Sequence, residues 1–399
     1  MAIRLLVLSS TYPRFKGDSE PGFVHQLARR LVGDFDVTVL APHARGAAEE
    51  EILDGVRVIR YRYAPEALET LVNDGGIIAN LRRRPWKWLL VPGFLAGLAW
   101  RTWRLLRASQ PRVVHAHWLL PQGLVAAALR GRGPGAPALL VTSHGADLFA
   151  LRGGLLQRLK RWVARRATAL TVVSAAMRDE LGRIGCDTGE VRVLPMGVDL
   201  RESFTPAGAV QRQPDELLFV GRLVEKKGLR HLIDALPLLV QTRPNVSLTI
   251  VGFGPEEAGR RAQIERLGLG HRVRFLGAVP QAGLPALYRR AAVFVGPFVE
   301  AASGDQEGLG LVVVEAIGCG CPVVVSDLPQ VRDIFGDIPA AGLVPPGSAP
   351  QLAQAIARTL ADPAAAATEI LRLRASLEAR FDWTVVAGNY ASVLKRLAG

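Results

Sequence analysis

Scarcity narrows the chain first. Its 399 residues include only three cysteines, Cys186, Cys319 and Cys321. The number is odd, two of them sit in the apolar run Ala316–Val325, and no spacing fits a zinc site. That excludes a disulfide scaffold and predicts buried thiols in a reducing cytosol. Long apolar runs are missing too. The longest uncharged apolar stretch, Trp88 to Trp100, is interrupted by Pro92 and Gly93 and falls short of the roughly 20 residues that span a bilayer. The apolar segment at the start, Ile3–Leu8, is too short for a signal peptide, lacks a small-residue cleavage site and reads as a buried first strand.

Acidic side chains are absent from one long stretch. No Asp or Glu occurs between Asp74 and Asp147, whereas Arg82, Arg83, Arg84, Lys87, Arg101, Arg104, Arg107, Arg112, Arg130 and Arg132 do. The formal net charge of +13 follows this asymmetry: residues 1–200 hold 28 basic and 17 acidic side chains, residues 201–399 hold 21 and 19. Charge confined to one stretch implies one surface with one kind of partner, not general basicity. Trp86, Trp88, Trp100 and Trp103 interleave with these cations. The segment 82–107 therefore suits an anionic membrane surface; the other reading is a core-packed helix with solvated arginines. A nucleic-acid partner, suggested by charge alone, is not expected, because no recognition-helix motif or stacking array accompanies it.

Apolar runs of strand length alternate with helical patterns along the whole chain. In the first half they are Leu5–Leu8, Val37–Leu40, Val56–Arg60, Val113–His115, Leu139–Thr142, Leu170–Val173 and Val191–Leu194. In the second they are Leu217–Val220, Ser247–Val251, Val273–Leu276, Val293–Val295, Pro322–Val325 and Gly342–Val344. This alternation predicts an α/β protein with two doubly wound parallel sheets. The breaker-rich segment 205–214 separates them, giving a first domain over 1–204 and a second over 215–379. Such sheets bind ligands at the carboxyl ends of their strands.

Two segments carry chemistry. Leu218 to Leu229 is a strand ending at Gly221, followed by Arg222, Lys226, Lys227 and Gly228 before a new helix. A planar guanidinium, a compact ammonium and free helix-start N–H groups together suit a diphosphate; the plainer reading is a strand-to-helix turn with solvated cations. In the second segment Glu307 and Glu315 bracket an apolar run that begins Gly308-Leu309-Gly310-Leu311. A carboxylate among core residues needs a partner, and sugar or ribose hydroxyls are suitable donors; a helix cap and a structural ion pair are the alternative. Gly308 and Gly310 let backbone N–H groups approach a phosphate closely.

Taken together, these motifs resemble those of the retaining glycosyltransferases of family 4, whose GT-B architecture has two facing Rossmann-like domains and an interdomain cleft. Phe219–Gly228 resembles the family's Gly-Arg-Leu and Lys-Gly signature, and Glu307 to Glu315 its pair of glutamates with seven residues between. Val193–Asp199 resembles the segment closing the first domain, with Met196 in place of the commoner Asn. Val251–Pro255 resembles the Gly-x-Gly-Pro turn, and Val114–Trp118 and Thr142–Phe149 resemble two landmarks of the first domain. The resemblance runs in the right order from residue 4 to about residue 394.

The resemblance implies a nucleotide-sugar-dependent hexosyltransferase that retains anomeric configuration. Arg222 and Lys227 would bind the donor diphosphate without a divalent metal or other cofactor, in keeping with a reading of the chain that finds no Asp-x-Asp metal signature. Glu315 would hold the ribose, and Glu307 would face the donor sugar. Gly221, Gly252 and Gly308–Leu311 would line the donor, with backbone near Leu276 touching the base of a UDP- or GDP-sugar. His144 would lie near the transferred sugar, its other reading being a satisfied core histidine. Gly22, His117 and Asp305 would serve the acceptor, a saccharide or lipid-linked glycan. The segment 297–306 resembles the version in polysaccharide-assembling members. The loop 10–23 departs from the family, because Gly17 and Gly22 are not adjacent. The last helix, about 380–399, would return to the first domain of a cytoplasmic enzyme working at a membrane face. An epimerase of the same architecture is the alternative from a neighbouring class.

Overall fold

In this computed structural model the described residues are 2–18, 22–73, 76–206, 212–336, 338 and 342–399. Residues 19–21 of the loop 10–23, and 207–211 of the segment expected to link the domains, lie outside them. The chain divides into two compact units, residues 1–196 with 386–399, and residues 197–385. The division thus falls between Met196 and Gly197, ahead of the 204/205 boundary read from the sequence.

In the first unit the strands are β1 (Ile3–Leu8), β2 (Phe35–Pro42), β3 (Glu50–Leu53), β4 (Val56–Tyr61), β5 (Val113–His117), β6 (Ala138–Ser143), β7 (Ala169–Val172) and β8 (Arg192–Val193). They form one sheet in the order β3-β4-β2-β1-β5-β6-β7-β8. Every pairing is parallel except that of β3 with β4. The central strands read as unbroken apolar runs because helices cover both sheet faces. Strand β3 was not anticipated: its two glutamates hide the apolar signal. The signal that finds it is Asp54-Gly55, with φ of +48° and +83°, the backbone of a two-residue hairpin turn.

The second unit contains β9 (Gln213–Val220), β10 (Ser247–Val251), β11 (Val273–Gly277), β12 (Ala291–Gly296), β13 (Val323–Ser326) and β14 (Leu343–Val344), in the order β11-β10-β9-β12-β13-β14. Its core joins Leu217, Phe219 and Ile250 from the sheet with Leu232, Leu236 and Ile356 from the covering helices. In each unit the strand order reverses beside the first strand, at β1/β5 and at β9/β12. Loops leaving those strands in opposite directions open a crevice at the carboxyl edge, where ligands of doubly wound sheets bind.

The last helix spans Trp383–Ala398. From Val386 onward it belongs to the first unit, where Tyr390 stacks on His115 with ring centroids 5.7 Å apart and Lys395 pairs with Asp34 at 2.7 Å.

Candidate functional site

Three consecutive residues after β9 fasten the loop that follows β12. The Glu225 carboxylate accepts from Ala302 N at 2.9 Å, and the Lys226 carbonyl accepts from Val299 N at 3.0 Å. Lys226 Nζ donates to Asp305 Oδ1 at 3.1 Å and to the Gln306 carbonyl at 2.9 Å, while Lys227 Nζ meets Glu307 Oε2 at 2.7 Å. Gly228 makes this approach possible: its φ is +67°, and a Cβ there would collide with the Pro297 carbonyl. Lys227 also lies over the Phe298 ring, 5.0 Å from its centroid. Burial alone would raise the Glu307 carboxyl, but Lys227, then Lys226 and the Gly308 N–H, outweigh it and hold the group below its usual range.

The turn bearing Arg222 is fixed from the other side. Gly221 N donates to Val251 O at 3.0 Å and Leu223 N to Phe253 O at 2.9 Å, while Gly252 N donates to Gly277 O at 2.8 Å. Gly221, Arg222, Gly252 and the backbone after Leu276 are thereby gathered at the ends of β9, β10 and β11. Gly310, at φ +93°, starts the helix Leu311–Gly318. On that helix Glu315 is buried, and its Oε2 accepts from the Tyr288 hydroxyl at 2.9 Å. Burial pushes the Glu315 carboxyl up to about 7, against the opposing pull of Tyr288 and Lys227.

Asp305, expected on the acceptor side, lies in the second unit, where it pairs with Lys226. Asp305→Ala is expected to loosen the loop carrying Glu307, raising the donor KM by about tenfold while kcat falls less. Steady-state kinetics at varied donor concentration test this, and an unchanged KM contradicts it.

In the first unit Gly22, His117 and His144 come together. Gly22 precedes the helix Phe23–Leu31, and the Phe23 ring lies 4.9 Å from the His144 ring and 6.1 Å from Trp118. His117, at the end of β5, bonds through Nδ1 to His144 Nε2 at 2.9 Å. Behind them His115 Nε2 bonds Thr142 Oγ1 at 2.8 Å, and Thr142 bonds Thr171 at 2.6 Å. Burial lowers all three imidazoles, His115 and His144 to about 3. Asp147 fixes the turn below His144 by accepting from Leu119 N at 2.7 Å, Ser143 Oγ at 2.9 Å and His144 N at 3.3 Å.

Sequence reasoning missed Tyr288, Phe298, Lys226 and Asp147. An aromatic at helical spacing looks like core, and adjacent lysines look alike, so only Asp147, three residues after His144, carried a usable local signal. The chain does contain one Asp-x-Asp triplet, Asp34-Phe35-Asp36, but it begins β2 at the opposite strand end from the ligand edge, with Asp34 held by Lys395. Among the described residues no three His, Cys, Asp or Glu side chains form a metal-ligating cluster.

Comparison with known proteins agrees with this geometry. The family model "Glycosyltransferase Family 4" matches residues 23–202, and "Glycosyl transferases group 1" matches residues 201–378. Glycogen synthase of Mycobacterium tuberculosis is 30% identical over 98% of this chain and 94% of its own length. A phosphatidyl-myo-inositol mannosyltransferase of Mycobacterium leprae is 33% identical over 72% of this chain and 74% of its own. In fold the chain resembles a sucrose-phosphate synthase from Thermosynechococcus elongatus, with a TM-score of 0.79 at 23% identity, covering 99% of each chain. It likewise resembles Anabaena HepE solved with UDP-glucose, with a TM-score of 0.73 at 19% identity, covering 99% of this chain and 100% of the other. The chain belongs to the family 4 glycosyltransferases, nucleotide-sugar-dependent enzymes of the GT-B fold class.

Proposed function

We propose that this glycosyltransferase retains anomeric configuration and works without a divalent metal. Its donor is a UDP- or GDP-sugar and its acceptor a saccharide or lipid-linked glycan in polysaccharide synthesis. The observation that carries this reading is the group formed by Arg222, Lys227, Glu307 and Glu315 at the carboxyl edge of the second sheet. Lys227 is preplaced, so it stabilises charge developing on the departing diphosphate with little reorganisation. Arg222 supplies a planar fork for the same oxygens. Glu315, held by the Tyr288 hydroxyl and by Gln281, is suited to accept from a ribose diol. His144, bonded to His117 and packed against the Phe23 and Trp118 rings, is suited to a hydrogen bond with the transferred sugar. Relatives support the acceptor class by name: a mannosyltransferase acting on phosphatidyl-myo-inositol, and a glycosyltransferase of amylovoran biosynthesis from Erwinia amylovora. The test is a thermal-shift screen of UDP- and GDP-sugars in excess chelator, followed by NMR of the product's anomeric linkage. Stabilisation by one nucleotide class and a retained linkage support the reading; an inverted linkage, or an epimerised sugar formed without acceptor, contradicts it.

The basic segment supports work at an anionic membrane. Along the helix Val91–Ser109, Phe94, Leu98 and Thr102 face inward. The other face presents Trp100 and Trp103 under Arg104 and Arg107, at 5.1 and 4.2 Å from the ring centroids. Just before it Trp88 and Leu89 are 61% and 81% exposed. Lys87 instead turns inward, donating to Thr70 O at 2.6 Å and Asn80 Oδ1 at 2.8 Å, which leaves its tryptophan neighbours outside. No helix among the described residues is long and apolar enough to cross a membrane. The protein is expected to float with phosphatidylglycerol vesicles at low salt, and replacing Arg82, Arg83 and Arg84 by Glu should reduce the bound fraction at least tenfold. Flotation unaffected by those changes and by salt removes the idea.

A further inference from the structure

We infer that His117 is a positioning residue that fixes His144 in the tautomer protonated on Nδ1, so that His144 offers a hydrogen-bond donor and no base. The inference rests on the reading above that His144 meets the sugar, and deepens it.

The two rings are nearly coplanar, at 17°, with His117 Nδ1 and His144 Nε2 2.9 Å apart. One proton lies between those nitrogens, so one ring donates and the other accepts. If His144 donated from Nε2, His117 would carry its own proton on Nε2. That atom is buried and has no hydrogen-bond partner among the described residues. A buried N–H with no acceptor is rarely tolerated, whereas a bare ring lone pair leaves no orphaned donor. The proton therefore belongs to His117 Nδ1, and His144 Nε2 is occupied as the acceptor.

The surroundings hold this arrangement. His115 lies against His117 with centroids 4.2 Å apart and is itself held by Thr142 and by the Tyr390 ring. Trp118 and Phe23 contact His144 at 5.1 and 4.9 Å. Turning either ring over would put a carbon where its bonded nitrogen stands and break the bond between His117 Nδ1 and His144 Nε2. With Nε2 occupied, His144 has no lone pair left to take a proton from a hydroxyl; its remaining polar atom is the Nδ1–H. It can stabilise an oxygen of the sugar or of the departing group, and it cannot act as general base.

Long-range proton–nitrogen NMR of the full-length protein labelled with nitrogen-15 histidine reads the tautomer directly. His144 should show a protonated Nδ1 and an unprotonated Nε2, and this needs no substitution. His117→Asn, which keeps a donor near the Nδ1 position, should preserve that pattern of protonation. His117→Phe should release His144 to the Nε2–H tautomer and lower kcat by about 100-fold, with donor KM changed less than threefold, measured on UDP-glucose and GDP-mannose in parallel. An Nε2–H tautomer in the unaltered protein overturns the inference, as does an unchanged tautomer in His117→Phe. If the tautomer is as stated but His144→Ala leaves turnover intact, the functional reading of His144 fails while its coupling to His117 stands.

Discussion

Replacing Lys227 by alanine is expected to lower turnover by about 10²–10³-fold, the usual loss when one preplaced donor to developing charge is removed. The loss should appear in kcat as much as in kcat/KM, because the ammonium is needed most when the diphosphate departs. A second effect follows from the ion pair. Lys227 is the closest cation to Glu307, at 2.7 Å, and Lys226 is already engaged by Asp305 and Gln306. Without Lys227 the largest pull against burial is lost, only Lys226 and the Gly308 N–H still oppose it, and the Glu307 carboxyl rises. The variant should therefore lose about 1–3 kcal/mol of stability, the usual cost of a buried polar group left without its partner. Adding Glu307→Gln removes the stranded charge, so the double variant should recover most of that stability and none of the turnover. Thermal melts and initial rates on the three variants separate the effects. Turnover in Lys227→Ala within threefold of the unaltered enzyme would refute the diphosphate role.

Glu315→Gln should produce opposite changes in stability and affinity. The ordinary glutamate value is near 4.5; burial takes Glu315 to about 7. Its contribution to stability is therefore complete below pH 4.5, where the group is protonated in both folded and unfolded chain. It declines as pH rises and is lost once the folded group ionises through pH 7. A neutral isostere does not titrate. The variant should match the parent near pH 4.5 and exceed it at pH 8 by the order of 1–3 kcal/mol, or roughly 3–8 °C in melting temperature. Nucleotide affinity should move the other way, weakening about 10–100-fold with the loss of a charged acceptor for ribose hydroxyls. In the parent that affinity should strengthen as pH rises from 6 to 8, and in the variant it should stay level. Melts and calorimetric titrations at both pH values check this. Parallel stability curves with equal affinity contradict it.

The parallel strands were legible in the sequence because strands buried on both faces must be continuously apolar, as Leu5–Leu8 and Leu217–Val220 are. The cations and carboxylates of the proposed donor site stand out in the sequence by type and spacing. Their pairing was not. Lys226 and Lys227 are indistinguishable in the chain, yet one holds Asp305 and the other Glu307, 79 and 80 positions away. Tyr288 is an ordinary helix residue until its hydroxyl meets Glu315. The histidines of β5 show their spacing, but the bond from His117 to His144 depends on the parallel register of β5 with β6, His117 opposite Thr142. Register across a crossover is a tertiary fact. The basic stretch was visible as charge, whereas the inward turn of Lys87 that leaves Trp86 and Trp88 outside required the fold.

The central claim is that two side chains, with no divalent metal, hold the donor diphosphate on the second unit. Calorimetric titration of UDP and GDP in excess EDTA, into the unaltered enzyme and into Lys227→Ala and Arg222→Ala, tests it most directly, with UMP and GMP as controls lacking the second phosphate. Saturable diphosphate binding in EDTA is predicted, weakened at least tenfold by either substitution while the matching monophosphate is affected much less. Binding that requires a divalent cation, or that is equal in all three proteins, would contradict the account.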